Sequence, residues 1–464
     1  MRQPQDTAKS SAHAASEAVD WPRPAYAWYV LFLLILIYAI ATLDRVVIGL
    51  LVDSMQRDLN VSDTAISLLI GLAFALLYTA LGLPVGILID RYRRVPVLVA
   101  SLVLFSFATS AFGLASTFVA LFIARLFVGA GESAVTPTMS SLIADYFRPE
   151  MRAKAFSFYM LGGSLGTSLA YLVGASTIYL STWLQDRTGI LGNLRDWQIV
   201  FLLCGAAGMI LAIVFGLTVR EPVRRETAPR SAANVSLAQL LRELVSNLNT
   251  KRLAYLAIIG GAVMNVFLIA AQLSWYPTLF IRVFDMQPAE VGGMLAVVGV
   301  PSGIISALSS GFIMAWLVKR GRLDAPLIMM LVQAVIWGAL GVAKSLAPDV
   351  TSSLVFHVIT SLTANFGLPA AFFGLTQITH NRLRGQMTAL YTMIYGLVAV
   401  TLGPLAVGLL SDYVFTSPDG VSYSLASVYA FGALAGICFL LVGWRDFIAA
   451  SLRLKMESAS AEAR

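Results

Sequence analysis

Twelve apolar runs, most of them twenty residues or longer, dominate this 464-residue chain. A helix rises 1.5 Å per residue, so a run of about 20 residues crosses the roughly 30 Å hydrocarbon core of a bilayer. The runs cover 27–51, 64–89, 95–115, 118–145, 152–178, 197–219, 253–282, 289–318, 325–346, 351–379, 385–411 and 424–447. Inside lipid every backbone N–H and C=O must be satisfied within its own segment, so each run is predicted to be a helix. The expected fold class is an all-α membrane protein with twelve transmembrane helices in two six-helix bundles. Only 12% of residues are charged, about half the share of a soluble domain. That excludes a disordered chain and an ordinary soluble enzyme.

Basic residues set the expected topology. With the N-terminus inside, 25 of the 32 Lys and Arg fall in the tails and at or beside the even-numbered loops, five at or beside the odd loops and two deep inside runs. The five are Arg57, Arg187, Arg195, Arg282 and Lys344. Cytoplasmic loops concentrate Lys and Arg, so both ends are predicted to be cytoplasmic. The basic surplus thus reflects membrane topology and implies no nucleic-acid partner. The start is polar and lacks the apolar core of a signal peptide.

The expected organisation is a cytoplasmic tail (1–26), a six-helix bundle (27–219), a linker (220–252), a second bundle (253–447) and a cytoplasmic tail (448–464). Within the linker, Leu237, Leu240, Leu241, Leu244, Val245 and Leu248 recur at helical spacing. They predict an amphipathic helix on the inner membrane surface. The halves look like repeats. A shift of 232 places Arg125 on His357, Pro137 on Pro369 and Arg152 on Arg384. A pair of parallel six-helix repeats is a transporter architecture.

Four charges lie deep within runs, well away from either end: Asp44, Arg45, Arg125 and Glu132. Each costs about 2.5–3.5 kcal/mol at the centre of a lone helix. Two acids and two arginines can neutralise one another, which points to one shared site between runs 1 and 4. Arg125 and Glu132 are seven apart and share a helical face. A carboxylate buried in apolar surroundings takes up a proton unless a cation sits beside it. An anionic substrate that recruits the arginine would therefore let the carboxylate protonate, which couples two ligands. A fixed salt-bridge network is the alternative reading. The second half offers Asn265, Gln272, Gln333, His357 and Asn365 and no acid at matching depth. It is expected to supply an apolar wall, with His357 and Asn365 as candidate cavity residues.

Other signals carry less. Gly162-Gly163-Ser164-Leu165-Gly166 fits a hydrolase elbow, but that motif needs a strand, turn and helix. Helix packing explains it better. No nucleotide-binding loop and no His/Cys cluster occurs, so no ATP-driven step, enzyme activity or metal is expected. Cys204 and Cys438 lie in apolar runs and read as small buried hydrophobes.

Gly86-x-x-x-Asp90-Arg91-x-Arg93-Arg94 resembles the signature loop of the major facilitator superfamily. The Asp44-Arg45 pair, Ala124-Arg125-Leu126, Gly129-Ala130-Gly131-Glu132-Ser133, Ile143-Ala144-Asp145-Tyr146-Phe147 and Gly163-Ser164-Leu165-Gly166 narrow the likeness to the spinster family. The Asp-Arg start also occurs in the superfamily's organic anion:cation symporters. The resemblance implies the major facilitator fold and alternating access, driven by a proton gradient with no bound cofactor. It implies proton coupling through Asp44 and Glu132, and substrate contacts from Arg45 and Arg125. Asp90, Arg91, Arg94 and Asp145 become gating candidates: Asp90 facing the end of a helix near Gly385, Arg94 pairing with Asp145 as a latch at the inner side. The expected partners are a small amphipathic or anionic substrate, lipid-like by resemblance, and membrane lipid. The chain is expected to be monomeric and to lie in a cell inner membrane. A symporter of small organic anions and a non-transporting receptor or scaffold are the competing readings.

Overall fold

The computed structural model describes residues 21–188, 194–224, 237–380, 383–417 and 419–462. Most of the expected N-terminal tail lies outside the described residues, as does the middle of the linker. The described residues form helices and no strand. The first half contains α1 (Pro24–Leu59), α2 (Asp63–Leu68, a π-turn Leu69–Ala73, then Phe74–Arg91), α3 (Arg94–Leu114), α4 (Phe118–Glu132 and Val135–Tyr146), α5 (Pro149–Thr188) and α6 (Asp196–Thr218). A linker helix, Leu237–Thr250, precedes the second half. There follow α7 (Arg252–Val283), α8 (Pro288–Lys319), α9 (Ala325–Ser345), α10 (Val350–Ser361 and Gly367–Ile378), α11 (Arg384–Tyr413) and α12 (Gly420–Glu462). Eleven of these are long and apolar enough to cross a membrane, while each piece of α10 is too short to cross alone.

Local chemistry sets the helix ends. Ser62, Thr117 and Asp349 accept hydrogen bonds from backbone N–H groups in the first turns of α2, α4 and α10, which satisfies donors the helix cannot pair internally. The interruptions of α4 and α10 have one cause. Pro137 follows the break at Ser133–Ala134, and Pro369 follows the turn at 362–366. A proline lacks the N–H that would reach back one turn, and its ring clashes with that carbonyl. The two prolines are related by the 232-residue shift, so the breaks are equivalent in the two halves.

Three apolar cores show how the halves meet. The largest combines both halves: Val47 and Leu51 of α1, Phe112 of α3, Trp275 and Leu279 of α7, Val407 of α11. The second draws only on the first half, from Val30 of α1, Leu98 of α3 and Leu142 of α4. The third draws only on the second half, from Met330 of α9, Ala371 of α10 and Tyr391 of α11, with Leu248 of the linker helix against it. The halves are therefore fused at one end and separate at the other. Gly71 of α2 lies so close to α11 that an added Cβ would sit 2.8 Å from the Thr401 backbone. Gly82 of α2 and Gly385 of α11, nearer the opposite end, have no neighbour within 4 Å. The open end carries the first and last described residues, 21 and 462, and described basic residues such as Arg91, Arg93, Arg94 and Arg320; it is called the basic end below, and the closed one the far end.

Candidate functional site

Asp44 and Arg45 sit at mid-length of α1. Successive helical residues are turned by about 100°, so the two side chains meet different partners. Asp44 accepts from Arg125 of α4 at 2.5 Å and from Thr109 of α3 at 3.2 Å. Both members of that pair are sealed, at 0% and 1% side-chain exposure. Arg45 donates through Nε to Glu132 at 2.7 Å, and a second guanidinium nitrogen contacts the same oxygen. Glu132 is buried, whereas the Arg45 side chain is 38% exposed. The Phe74 ring links the pairs, with Arg45 4.5 Å and Arg125 5.5 Å from its centroid. Tyr78, stacked on Phe74 at 5.2 Å between centroids, lies 5.3 Å from Arg45 on the same side. The four charges thus come together as two adjacent pairs. One is locked inside the first bundle, and the other is open to water through its arginine.

Glu132 ends the first piece of α4, and its second carboxylate oxygen has no hydrogen-bond partner. Gly129 and Gly131 let neighbours approach it: an added Cβ would meet the Phe74 carbonyl at 2.2 Å and the Phe105 backbone at 2.6 Å. This close packing holds α4 against α2 and α3 and fixes the carboxylate beside α1.

The second half departs from the expected apolar wall. The 232-residue shift carries Asp44 onto Tyr276, Arg125 onto His357, Phe112 onto Lys344 and Trp197 onto Tyr429. Tyr276 and His357 stack at 4.6 Å between centroids, where the first half has an ion pair. Lys344, counted among loop residues in the sequence, is fully buried at the end of α9. It donates to Gln272 and sits 4.7, 5.2 and 4.8 Å from the rings of Tyr276, Trp337 and Tyr429. Its apolar stem hid it in the sequence, because the run simply continues to Leu346. His357 is buried inside the second bundle, with Ser361 3.4 Å from Nε2. Asn365 occupies the α10 break, and its backbone N–H donates to Ser306 of α8 at 2.9 Å. Cys204 is buried, but Cys438 is exposed on α12, which corrects the reading of both as buried.

The far end is closed by charges. Arg282 of α7, another residue counted as a loop cation, donates to Asp53 at 2.7 Å, Asp63 at 2.9 Å and Gln56 at 2.6 Å, all in the first half. Asp412 of α11 accepts from the Thr64 N–H at 2.7 Å and the Asp63 N–H at 3.2 Å. It thereby caps the exposed N–H groups of α2. Only the sparseness of basic residues at this end hinted at such a role.

At the basic end, Arg94 is buried and pairs with Asp145. It also bonds Glu221 at 2.9 Å, Ser141 at 3.0 Å and the Pro222 carbonyl at 3.0 Å. Every one of these partners belongs to the first half or the segment just after α6. The Arg94–Asp145 pair therefore ties α3 to α4 and does not bridge the halves in this conformation. Arg91 is exposed. The Asp90 side chain, expected to face the helix end near Gly385, lies outside the described residues.

Residues 34–346 match the profile of the Major Facilitator Superfamily. The chain belongs to that superfamily. Among solved structures, it resembles a bacterial homologue of the human lysosomal transporter spinster in an inward-facing, unoccupied conformation. That likeness has 25% identity and a TM-score of 0.75, covering 93% of this chain and 98% of the other. Protein spinster of Drosophila melanogaster is 23% identical, with 83% of this chain and 62% of that protein covered. A probable galactarate/D-glucarate transporter of Bacillus subtilis is also 23% identical, covering 89% and 91%. This superfamily member is a multi-pass membrane protein of transporter fold, and the four charges expected to form its site sit on α1 and α4.

Proposed function

We propose that this protein is a proton-coupled secondary transporter working by alternating access, and that its substrate is an amphipathic, lipid-like anion. One observation carries the reading: Arg45, its side chain 38% exposed, is bonded to buried Glu132 and packed against the stacked rings of Phe74 and Tyr78. The cation suits an anionic headgroup, and the rings suit an apolar body. An anion that draws Arg45 away leaves Glu132 buried with no cation bonded to it, and a carboxylate so placed takes up a proton more readily. Asp44 and Arg125 are the sealed pair that holds α1 against α4 while this exchange occurs. In this reading the basic end faces the cytoplasm of a bacterial inner membrane, so the conformation described is open to the cell interior.

The test is uptake into proteoliposomes under an imposed pH gradient. Glu132→Gln should abolish gradient-driven uptake of a lysophospholipid while the variant remains folded. Uptake that still follows the gradient in this variant overturns the coupling role of Glu132. A second reading has its own support. The Bacillus subtilis relative named for a sugar diacid is covered over nearly its whole length, and Arg45 would serve a small carboxylate equally well. Competition by galactarate together with indifference to lysophospholipids would select that reading.

A further inference from the structure

A groove of about 760 Å³ runs along the outer side of the first bundle between α2, α3 and α4. Its walls are Leu81 and Leu88 of α2 and Val97 and Ala100 of α3, and small residues of α4, Ala130 and Ala134, form its floor. The Ser101 hydroxyl on this wall already donates to the Gly131 carbonyl, so it has no proton left to give a ligand. From Leu81 to Tyr92 the groove follows eleven residues of helix, about 16 Å, which suits an extended hydrocarbon chain.

The mouth lies at the basic end, beside Tyr92 and Arg93. Arg93 is exposed and, among the described residues, has no hydrogen bond or ion pair. Its neighbour Arg94, by contrast, is saturated by Asp145 and Glu221. Ile87 and Leu88 are 49% and 41% exposed beside the groove, so the apolar wall continues outward into the bilayer. A basic residue at this level attracts anionic headgroups, and an apolar trough of this size is a usual ligand volume.

We propose that this groove is a binding site for an anionic phospholipid of the surrounding leaflet. One acyl chain lies between α2 and α3, and the phosphate lies against Arg93. The lipid is resident and not cargo, so this proposal does not rest on the transport reading. Its floor is the stretch of α4 that carries Glu132, so an occupied groove braces that segment from behind.

Thermal unfolding of the purified full chain tests this, with phosphatidylglycerol and phosphatidylcholine of identical chains added in detergent. Ligands that bind the folded state raise the unfolding temperature with concentration. Phosphatidylglycerol should stabilise the wild type at lower concentration than phosphatidylcholine. Arg93→Gln should reduce that preference about fivefold, the effect of one basic contact at an anionic surface. Ala100→Phe and Val97→Phe, either of which fills the trough, should remove stabilisation by both lipids. Equal stabilisation by the two lipids, an unchanged preference in Arg93→Gln, or full stabilisation of a folded trough-filling variant each overturns the proposal. So does stabilisation by a lysophospholipid with none by phosphatidylglycerol, which would make the groove a cargo site.

Discussion

The sealed pair and the open pair at the site are expected to respond differently to mutation. Asp44→Asn leaves Arg125 as an uncompensated cation in a dry bundle, because among the described residues the Asp44 carboxylate is the only acid bonded to it. Breaking one member of a buried pair costs about 3–5 kcal/mol, so this variant should unfold at markedly lower denaturant in detergent. Arg45→Gln should cost less. Water reaches that side chain, and Glu132 can take up a proton in place of its partner. Equal losses for the two variants would contradict the division into a structural and an exchanging pair. Lys344 gives a third expectation. Among the described residues no carboxylate pairs with it, and its ammonium is packed against three rings. Lys344→Met keeps the length and removes the charge that burial penalises. It should be neutral or stabilising, whereas Lys344→Ala should lose about 2–5 kcal/mol to the cavity. A large loss in Lys344→Met would instead assign the cation a binding role with its aromatic cage. These three sites also mark what the sequence allowed. Asp44, Arg45, Arg125 and Glu132 stood out because a charge interrupts a long apolar run. Lys344 and Arg282 did not, because each lies close enough to the end of a run to pass for a loop residue.

At the scale of elements, sequence and structure differ mainly where a helix stops and restarts. Apolar periodicity places α4 and α10 but carries no mark of their breaks. The prolines that cause them, Pro137 and Pro369, sit at the third residue of the following piece, and in the sequence they stand out only as a pair matched by the 232-residue shift. The linker helix was legible because its leucines repeat on one face. The α9 start offers a pH test outside the membrane-spanning segments. Asp324, just before α9, is partly buried, which opposes its charge. Two hydrogen bonds from Arg322, at 2.8 and 2.9 Å, and one from Trp444 of α12, at 3.2 Å, outweigh that and hold the carboxyl below its ordinary value. A lowered carboxyl stabilises the fold fully above its unfolded-state value near pH 4, and that contribution is lost as the pH falls through the folded value. Thermal unfolding between pH 6 and 3 should therefore show a smaller acid loss in Asp324→Asn than in the wild type. Parallel curves would mean that the Arg322–Asp324–Trp444 contact adds nothing to the joint of α9 and α12.

For the whole molecule, the decisive asymmetry is one shared core at the far end against two separate cores at the basic end. Two bundles hinged this way hold one conformation only while the closed end outweighs the open one. Apolar contact alone is a poor switch, since packed cores do not deform gradually. The polar cluster around Arg282 is better suited, because it joins α7 to α1 and α2 through one guanidinium and sits among groups that water can reach. Asp53, Asp63 and Arg282 side chains are 19%, 7% and 23% exposed. Arg282→Gln removes the charge from four hydrogen bonds at once and leaves Asp53 and Asp63 to repel each other. Every 1.4 kcal/mol taken from the closed state raises the share of the alternative tenfold, so a loss of about 3 kcal/mol makes a rare open form abundant. Spin labels at Arg57 and Gln287 would report the far end, and labels at Glu150 and Arg320 the basic end. In Arg282→Gln the first distance should gain a longer population while the second gains a shorter one, in the same proportion. Lengthening at the far end without shortening at the basic end would mean that the bundles part without rocking, and alternating access would need a different hinge.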